Sequence, residues 1–259
     1  MGIRDILKQR EEARNSNTGG GQSDLPEGVK RYIQAGSFGE INKEGKTVVL
    51  LAKPDDWFFY FVHEDKVYEG KTIHKFQKHT CLHSPKSPAG DDILKFARPK
   101  GDVCPSCKVG AKRKMFAMIP VFDPEYGTYR VIDLTEFHIN NLIDDIEKAE
   151  EMAREFQPDY TLAGKPVHIK QVDKSFSLGK ARLDISAEMQ QKIDEASKTE
   201  IEYEELAHFR DVDNIVELLN EADDSSIDKT KLPDAIEKAD DSDSGFANGN
   251  EEKAENYGF

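Results

Sequence analysis

Membrane-spanning and exported proteins carry marks that this sequence of 259 residues lacks. No apolar run approaches the roughly 18 residues that a membrane helix needs. Met1 to Asn15 is charged throughout and has no hydrophobic stretch of the kind that precedes export. The expectation is a cytoplasmic protein with no membrane partner. Cysteine is scarce as well: there are three, an odd number, in a chain without an export signal. That argues against a disulfide scaffold and for reduced thiols or a metal. Hydrophobic residues make up 37 % and charged residues 33 %, which fits an ordered core with part of the chain outside it.

The net charge of −14 argues against a nucleic-acid partner until its distribution is read. From Asp211 to the end there are 15 acidic and 4 basic residues, a net of −11. Lys71 to Lys114 holds 11 Lys/Arg against Asp91, Asp92 and Asp102, a net of +8. The local field decides what binds where, so a basic middle and an acidic end are two different surfaces.

Residues 1–14 read as a short helix with Ile3, Ile6 and Leu7 on one side and Arg4, Lys8 and Arg10 around it. A linker rich in Asn, Ser and Gly follows, and an arm of this length is marginal as a helix alone. From Val29 to about Val131 the signals are β-like. Lys46–Leu51 and Trp57–Val62 are short apolar runs bounded by Gly, Pro and Asp, and Met115–Phe122 and Thr128–Leu134 flank a hairpin loop, Asp123 to Gly127. Asp133 and Glu136 are spaced as a capping box for a helix carrying Ile139, Ile143, Ile146, Ala153 and Phe156. Pro158 stops it. Lys165–Val172 returns as a strand, Ala187–Lys198 and Glu202–Ala222 read as helices, and the chain after Ala222 reads as disordered. The fold class is β-rich α+β, with several short strands suggesting an OB-type barrel, whole or part-open, with an inserted metal loop.

Cys104-Pro105-Ser106-Cys107 is a Cys-x2-Cys knuckle, a spacing at which two thiolates meet one tetrahedral zinc. Cys81 supplies a third thiolate, and His63, His74, His79 and His83 are all candidates for the fourth ligand. His63 ends a strand whose hairpin returns towards Cys81, whereas His79 is only two residues from it. No residue set suggests an open catalytic position, so no enzyme is expected. A zinc deaminase needs a His-x-Glu ahead of its cysteine pair, and none is present.

Lys112-Arg113-Lys114 directly follows the knuckle and precedes Met115-Phe116. Cations beside aromatics fit single-strand binding, since phosphates supply the electrostatic part and rings stack on bases. Candidate stackers are Trp57, Phe58, Tyr60, Phe116, Tyr126 and Tyr129. Alternation along Trp57–Val62 puts Trp57, Phe59 and Phe61 on one face and Phe58 and Tyr60 on the other.

Taken together, the basic arm, Cys81, the Cys-Pro-x-Cys knuckle, the basic triplet, the strand ending Val121-Phe122-Asp123-Pro124, the segment Gly164 to Val172 and the acidic tail resemble the single-stranded-DNA-binding, helix-destabilising proteins of tailed phages, the T-even type above all. The resemblance implies an OB-fold core with an inserted zinc subdomain at about 63–110. It implies cooperative self-association through the arm at 1–23, with Arg4 as its basic residue. It implies a core over 24–210 and an acidic segment at 211–259 that recruits replication, recombination and repair proteins in the infected host cell. On this resemblance His63, Cys81, Cys104 and Cys107 match the zinc ligands, and Lys112, Arg113 and Lys114 match the triplet that contacts DNA. The rival expectation is a zinc-ribbon adaptor that joins proteins in a replication or transcription complex.

Overall fold

The computed structural model describes residues 25–69, 72–99, 103–222 and 226–232, with backbone alone over 65–77. The expected arm with Arg4, the side chain of His74 and the acidic tail beyond Leu232 lie outside the described residues.

Eight strands join in one sheet: β1 (Tyr32–Ile33), β2 (Lys46–Leu50), β3 (Phe58–Glu69), β4 (Thr72–Thr80), β5 (Arg113–Asp123), β6 (Thr128–Thr135), β7 (Pro166–Val172) and β8 (Ser175–Lys180). The sheet is a fork with β5 as its trunk. One edge of β5 pairs with β6 from Phe116↔Thr135 to Asp123↔Thr128. On the other edge Arg113 to Met118 pair with β3, while Val121 and Phe122 pair with β2. Pro120 falls between the two partners, where its missing N–H interrupts neither ladder. β3 carries β4 on one branch; β2 carries β7 and then β8 on the other.

Among the described residues no ladder joins the ends of the fork, so the expected barrel is corrected to an open, mixed α+β sheet. The ends are occupied otherwise. Thr80, at the end of β4, bridges to Phe209, and β8 lies under the helix Glu136–Arg154.

Both sheet faces are buried, which explains the unbroken aromatic run of β3. Trp57 and Phe59 enter a core with Ile119, Val121, Ile139, Leu142 and Ile146, while Phe58, Tyr60 and Val62 enter a second with Phe116, Met118, Tyr203 and Leu206. The alternation expected from sequence holds, and each face found a cover. Helix α2 (Glu136–Arg154, after the knuckle turn α1, Pro105–Lys108) covers the first with Ile139, Leu142 and Ile146. Its cap differs from expectation. Thr135 is the N-cap without a side-chain bond, because the Asp133 carboxylate is taken by Tyr60 Oη (2.8 Å) and Lys78 Nζ (3.0 Å). The helix ends at Arg154, so Phe156 falls off the apolar stripe and is 89 % exposed.

After α3 (Ala187–Ala196) the single helix expected over 202–222 is two, α4 (Tyr203–Leu206) and α5 (Val212–Glu221). The chain breaks between them at His208, a non-glycine residue with φ of 52°. Tyr203 of α4 stacks on Phe58 with centroids 4.8 Å apart, closing the second core. Ile215 and Leu219 of α5 pack with Leu82, Val109, Ala111, Ile227 and Leu232, and the Asp228 amide donates to the Val109 carbonyl at 2.9 Å. The first part of the segment expected at 211–259 thus packs on the knuckle, where Ile215, Leu219, Ile227 and Leu232 cover Val109.

Candidate metal centre and groove

The β3–β4 hairpin sets His63 opposite His79 and delivers Cys81 just past the end of β4, where its amide donates to the Phe61 carbonyl at 2.8 Å. The knuckle brings Cys104 and Cys107 round one turn of helix, closed by Lys108 N–H to Cys104 O and Gly110 N–H to Cys107 O, with Gly110 at φ of 81°. The ligand atoms of His63, Cys81, Cys104 and Cys107 all lie within 4.8 Å of one another. Cys81 Sγ is 3.5 Å from Cys107 Sγ, and His63 Nε2 is 3.5 Å from Cys107 Sγ and 3.8 Å from Cys104 Sγ. Ligands at about 2.3 Å for sulfur and 2.0–2.1 Å for nitrogen, arranged tetrahedrally, stand about 3.6–3.8 Å apart. Three of these separations already match that spacing, and all four donors lie within 4.8 Å of one another. A disulfide needs about 2.05 Å between sulfurs, so these cysteines are thiols.

His63 Nδ1 sits 3.1 Å from the Lys112 carbonyl, which makes Nδ1 the protonated nitrogen and leaves the Nε2 lone pair facing the thiols. The other histidines have other tasks. His79 stacks on His63 at 5.3 Å, but its Nε2 turns to Ser106 Oγ at 3.0 Å, bracing the knuckle from behind. His83 stands outside the cluster. The three thiols compete for one negative charge when alone. Hydrogen bonds from Cys107 and Cys81 hold Cys104 far below the ordinary thiol range. Sharing with Cys104 pushes Cys81 up to about 11 and pushes Cys107 up as well. A dication among them would let all three ionise, releasing protons as it binds. The site could hold a metal ion on all four sides.

Next to this centre lie three adjoining depressions. The first, about 540 Å³, runs from Tyr32 to Gly39 and includes Asp133. The second, about 260 Å³, shares Tyr32 and Asp133 with it and adds Lys78, His79 and His208. The third, about 890 Å³, shares His208 and continues past Phe209 and Arg210. Tyr32 Oη donates to the Leu206 carbonyl and its ring stacks on His208 at 6.1 Å. Lys78 Nζ lies 3.7 Å from the centroid of the Phe116 ring. Glu200, Glu202, Glu204 and Glu205 wall the far end.

The basic triplet does not act as one patch. Strand alternation separates its members: Lys114 lies on the Phe116 side beside Glu64, whereas Arg113 turns to the other side. There Arg113 donates to the Phe96 carbonyl at 2.9 Å and covers the Phe61 ring at 4.1 Å. Lys112 is exposed. The aromatic expectations need correction too. Trp57, Tyr60 and Phe116 are 0 %, 2 % and 6 % exposed, and a ring packed in a core offers no face to a base. Tyr126 and Tyr129 are half-buried, and cations of the chain already lie over both rings, Lys46 and Arg130 over Tyr126 and Arg31 over Tyr129. Sequence reading passed over Tyr32, Phe38, Lys78, His208 and Arg210. Gly36-Ser37-Phe38-Gly39, an aromatic between loop glycines, was a usable signal for one of them.

Burial holds His208 below the usual imidazole range, with Lys78 and Arg210 adding to it and Asp133 opposing; burial alone does the same to His138. Both take a proton less readily in the fold than in the unfolded chain, where histidine titrates near about pH 6.5. The unfolded state then binds more protons, so stability falls as pH drops through that range and levels off above it. Melting temperatures measured from pH 7.5 to 5.5 should decline, and His208→Gln should decline less. Equal slopes for the two proteins would remove His208 from this account.

Compared with known protein families, curated proteins and solved structures, the chain finds a match in none of the three.

Proposed function

We propose that this chain is a non-enzymatic single-stranded-DNA-binding protein with a structural zinc centre, of the kind that coats exposed DNA during phage replication, recombination and repair. The observation that carries the reading is the groove beside the metal centre, where Lys78 and Arg210 stand with Tyr32 and His208. A single strand needs cations for its phosphates and ring faces for its bases, and this groove supplies both along one line. The acidic wall at Glu200–Glu205 repels phosphate, so the strand leaves the groove near His208. Zinc is the ion that three thiolates and an imidazole favour, and four protein ligands leave no position for catalysis. The reading retains an opened OB-type plan, the arm around Arg4 for self-association along DNA, and the tail for replication and recombination partners, as the family resemblance implies.

The test is a titration of end-labelled oligo(dT) followed by anisotropy at two salt concentrations. Tryptophan quenching is a poor readout because Trp57 is fully buried. Lys78→Ala and Arg210→Ala should each weaken binding and each take roughly 0.7 from the slope of log affinity against log salt. Arg113→Lys should leave that slope as it is, because the charge is kept and points elsewhere. Unchanged affinity in both of these alanine variants would sink the groove as the binding site.

A further inference from the structure

The loop before β2 presents one ring to solvent and holds it there. Phe38 is 104 % exposed, the most exposed large apolar side chain among the described residues. Its loop is nonetheless fixed. Ala35 bridges to Ile41, the Gly36 amide donates to the Ile41 carbonyl at 2.9 Å, and the Ile41 amide donates to the Gln34 carbonyl at 3.0 Å. Gly39 N–H closes on Gly36 O at 2.9 Å, and Ile41 anchors the returning strand with no exposed surface. Two glycines make this tightness possible. Gly36 has a φ of +123°, and a Cβ on Gly39 would stand 2.3 Å from the Gln34 carbonyl oxygen. On the outer side Ser37 Oγ reaches Gln171 Oε1 at 3.3 Å, tying the loop to β7.

Phe38 lines the first depression together with Tyr32 and Asp133, the same two residues that open the second. The ring therefore stands at the mouth of the groove, on the opposite end from the acidic wall. Its immediate neighbours are Gly36, Ser37 and Gly39, so it is an isolated ring and not part of an apolar patch. Protein interfaces use contiguous area, whereas a nucleobase needs one free aromatic face. Resting on the single-strand reading, we infer that Phe38 is a pre-positioned stacking platform for a base of the bound strand where that strand enters the groove. The rigid loop makes stacking cheap in entropy, since the ring has no backbone freedom left to lose on binding.

The experiment uses the full chain and labelled oligo(dT) of about eight nucleotides, within the span of one binding unit. Phe38→Ala should weaken binding by roughly fivefold or more, from the loss of one stacked base. Phe38→Leu, apolar but without a π face, should lose as much, and Phe38→Trp should retain binding. The salt slope should stay at the wild-type value in all three, because no charge is removed. Fluorescence of the Phe38→Trp protein should be quenched on binding. On an oligonucleotide of the same length with abasic sites, wild type and Phe38→Ala should bind alike. Equal affinities for wild type and Phe38→Ala on the short oligo(dT) overturn the inference. That includes the case in which Phe38→Ala is weaker only on long polynucleotide, where the ring would be touching a second copy of the chain. Wild type that fails to bind oligo(dT) at all removes the single-strand reading itself, a result distinct from either.

Discussion

Cys107→Ser should abolish stoichiometric metal binding and lower the melting temperature by about 10 °C or more. The structure explains why so distant a portion of the chain depends on one thiol. The knuckle has little core of its own: Val109 is its fully buried apolar residue, and it meets Ile215 and Leu219 of α5 together with Ile227 and Leu232. If the four ligands separate, the surface on which α5 rests is lost. The segment that reaches Asp228 then loses its hydrogen bond to the Val109 carbonyl. Metal binding energy in such sites is folding energy, worth on the order of 10 kcal/mol or more in small zinc modules. A few kcal/mol of that, at roughly 2–4 °C per kcal/mol for a domain of this size, gives the expected shift. Elemental analysis of protein purified without chelator should find one zinc per chain, and calorimetry should give the variant and the chelated wild type the same midpoint. Metal-free wild type that melts where the loaded protein does would refute a structural role.

Asp123→Ala should cost about 1–3 kcal/mol, the usual result of leaving buried donors short of an acceptor, while Glu40 still holds the Arg130 guanidinium. The Asp123 and Arg130 side chains are 0 % and 2 % exposed, and Arg130 Nη1 donates to Asp123 Oδ2 at 2.8 Å. Glu40 takes both ends of the same guanidinium, at 2.6 and 2.7 Å, and Lys46 ties Glu40, Asp123 and Glu125 together. Burial alone would raise the Glu40 carboxyl, but hydrogen bonds and charge from Arg130 and Lys46 outweigh it and hold the group below its ordinary value. Asp123 also starts the β5–β6 turn: its Oδ1 accepts from the Glu125 amide at 3.1 Å and its carbonyl accepts from Gly127 at 2.8 Å. Alanine removes the charge and the side-chain acceptors together. Asp123→Asn keeps one acceptor oxygen, enough for the Glu125 amide, but sets an NH2 donor where Arg130 and Lys46 need an acceptor, so it should lose less than alanine only by the turn's share. Urea unfolding should rank wild type, Asn and Ala in that order, and an Ala variant within about 1 kcal/mol of wild type would show that the network contributes little.

The sequence made the metal ligands and the β5–β6 hairpin legible because both are local. A Cys-x2-Cys pair and an Asp-Pro…Gly turn carry their geometry in a few consecutive residues. What could not be read depended on partners far along the chain. Asp133 has the right spacing for a helix cap, yet Tyr60 and Lys78 compete for it and win. Phe58, Tyr60 and Phe116 look like candidates for stacking until Tyr203 and Leu206, almost ninety residues or more away, are seen to cover them. The break at His208 had no glycine or proline to announce it. Lys112-Arg113-Lys114 reads as one patch in a string of letters, but a strand sends alternate side chains to opposite faces. The helix read over 202–222 gave no sign that the apolar side of α5 would pack against the knuckle.

Long sequence separations also govern how the chain is made. Tyr32 waits for the carbonyl of Leu206, 174 residues later, and Arg130 reaches back 100 residues to the Lys30 carbonyl. At a synthesis rate of roughly 5–20 residues per second, the first of these partners follows the other by about ten to thirty-five seconds. His63 and all three cysteines have been synthesised by residue 107, well before α4 or α5 exists. Metal capture can therefore occur on the growing chain and fix the β3–β4 hairpin to the knuckle while the second sheet face is still uncovered. That face, with Phe58, Tyr60 and Phe116 on it, stays apolar and uncovered until Tyr203 and Leu206 are made. A C-terminal truncation that removes Tyr203 and Leu206 would leave that face open for good.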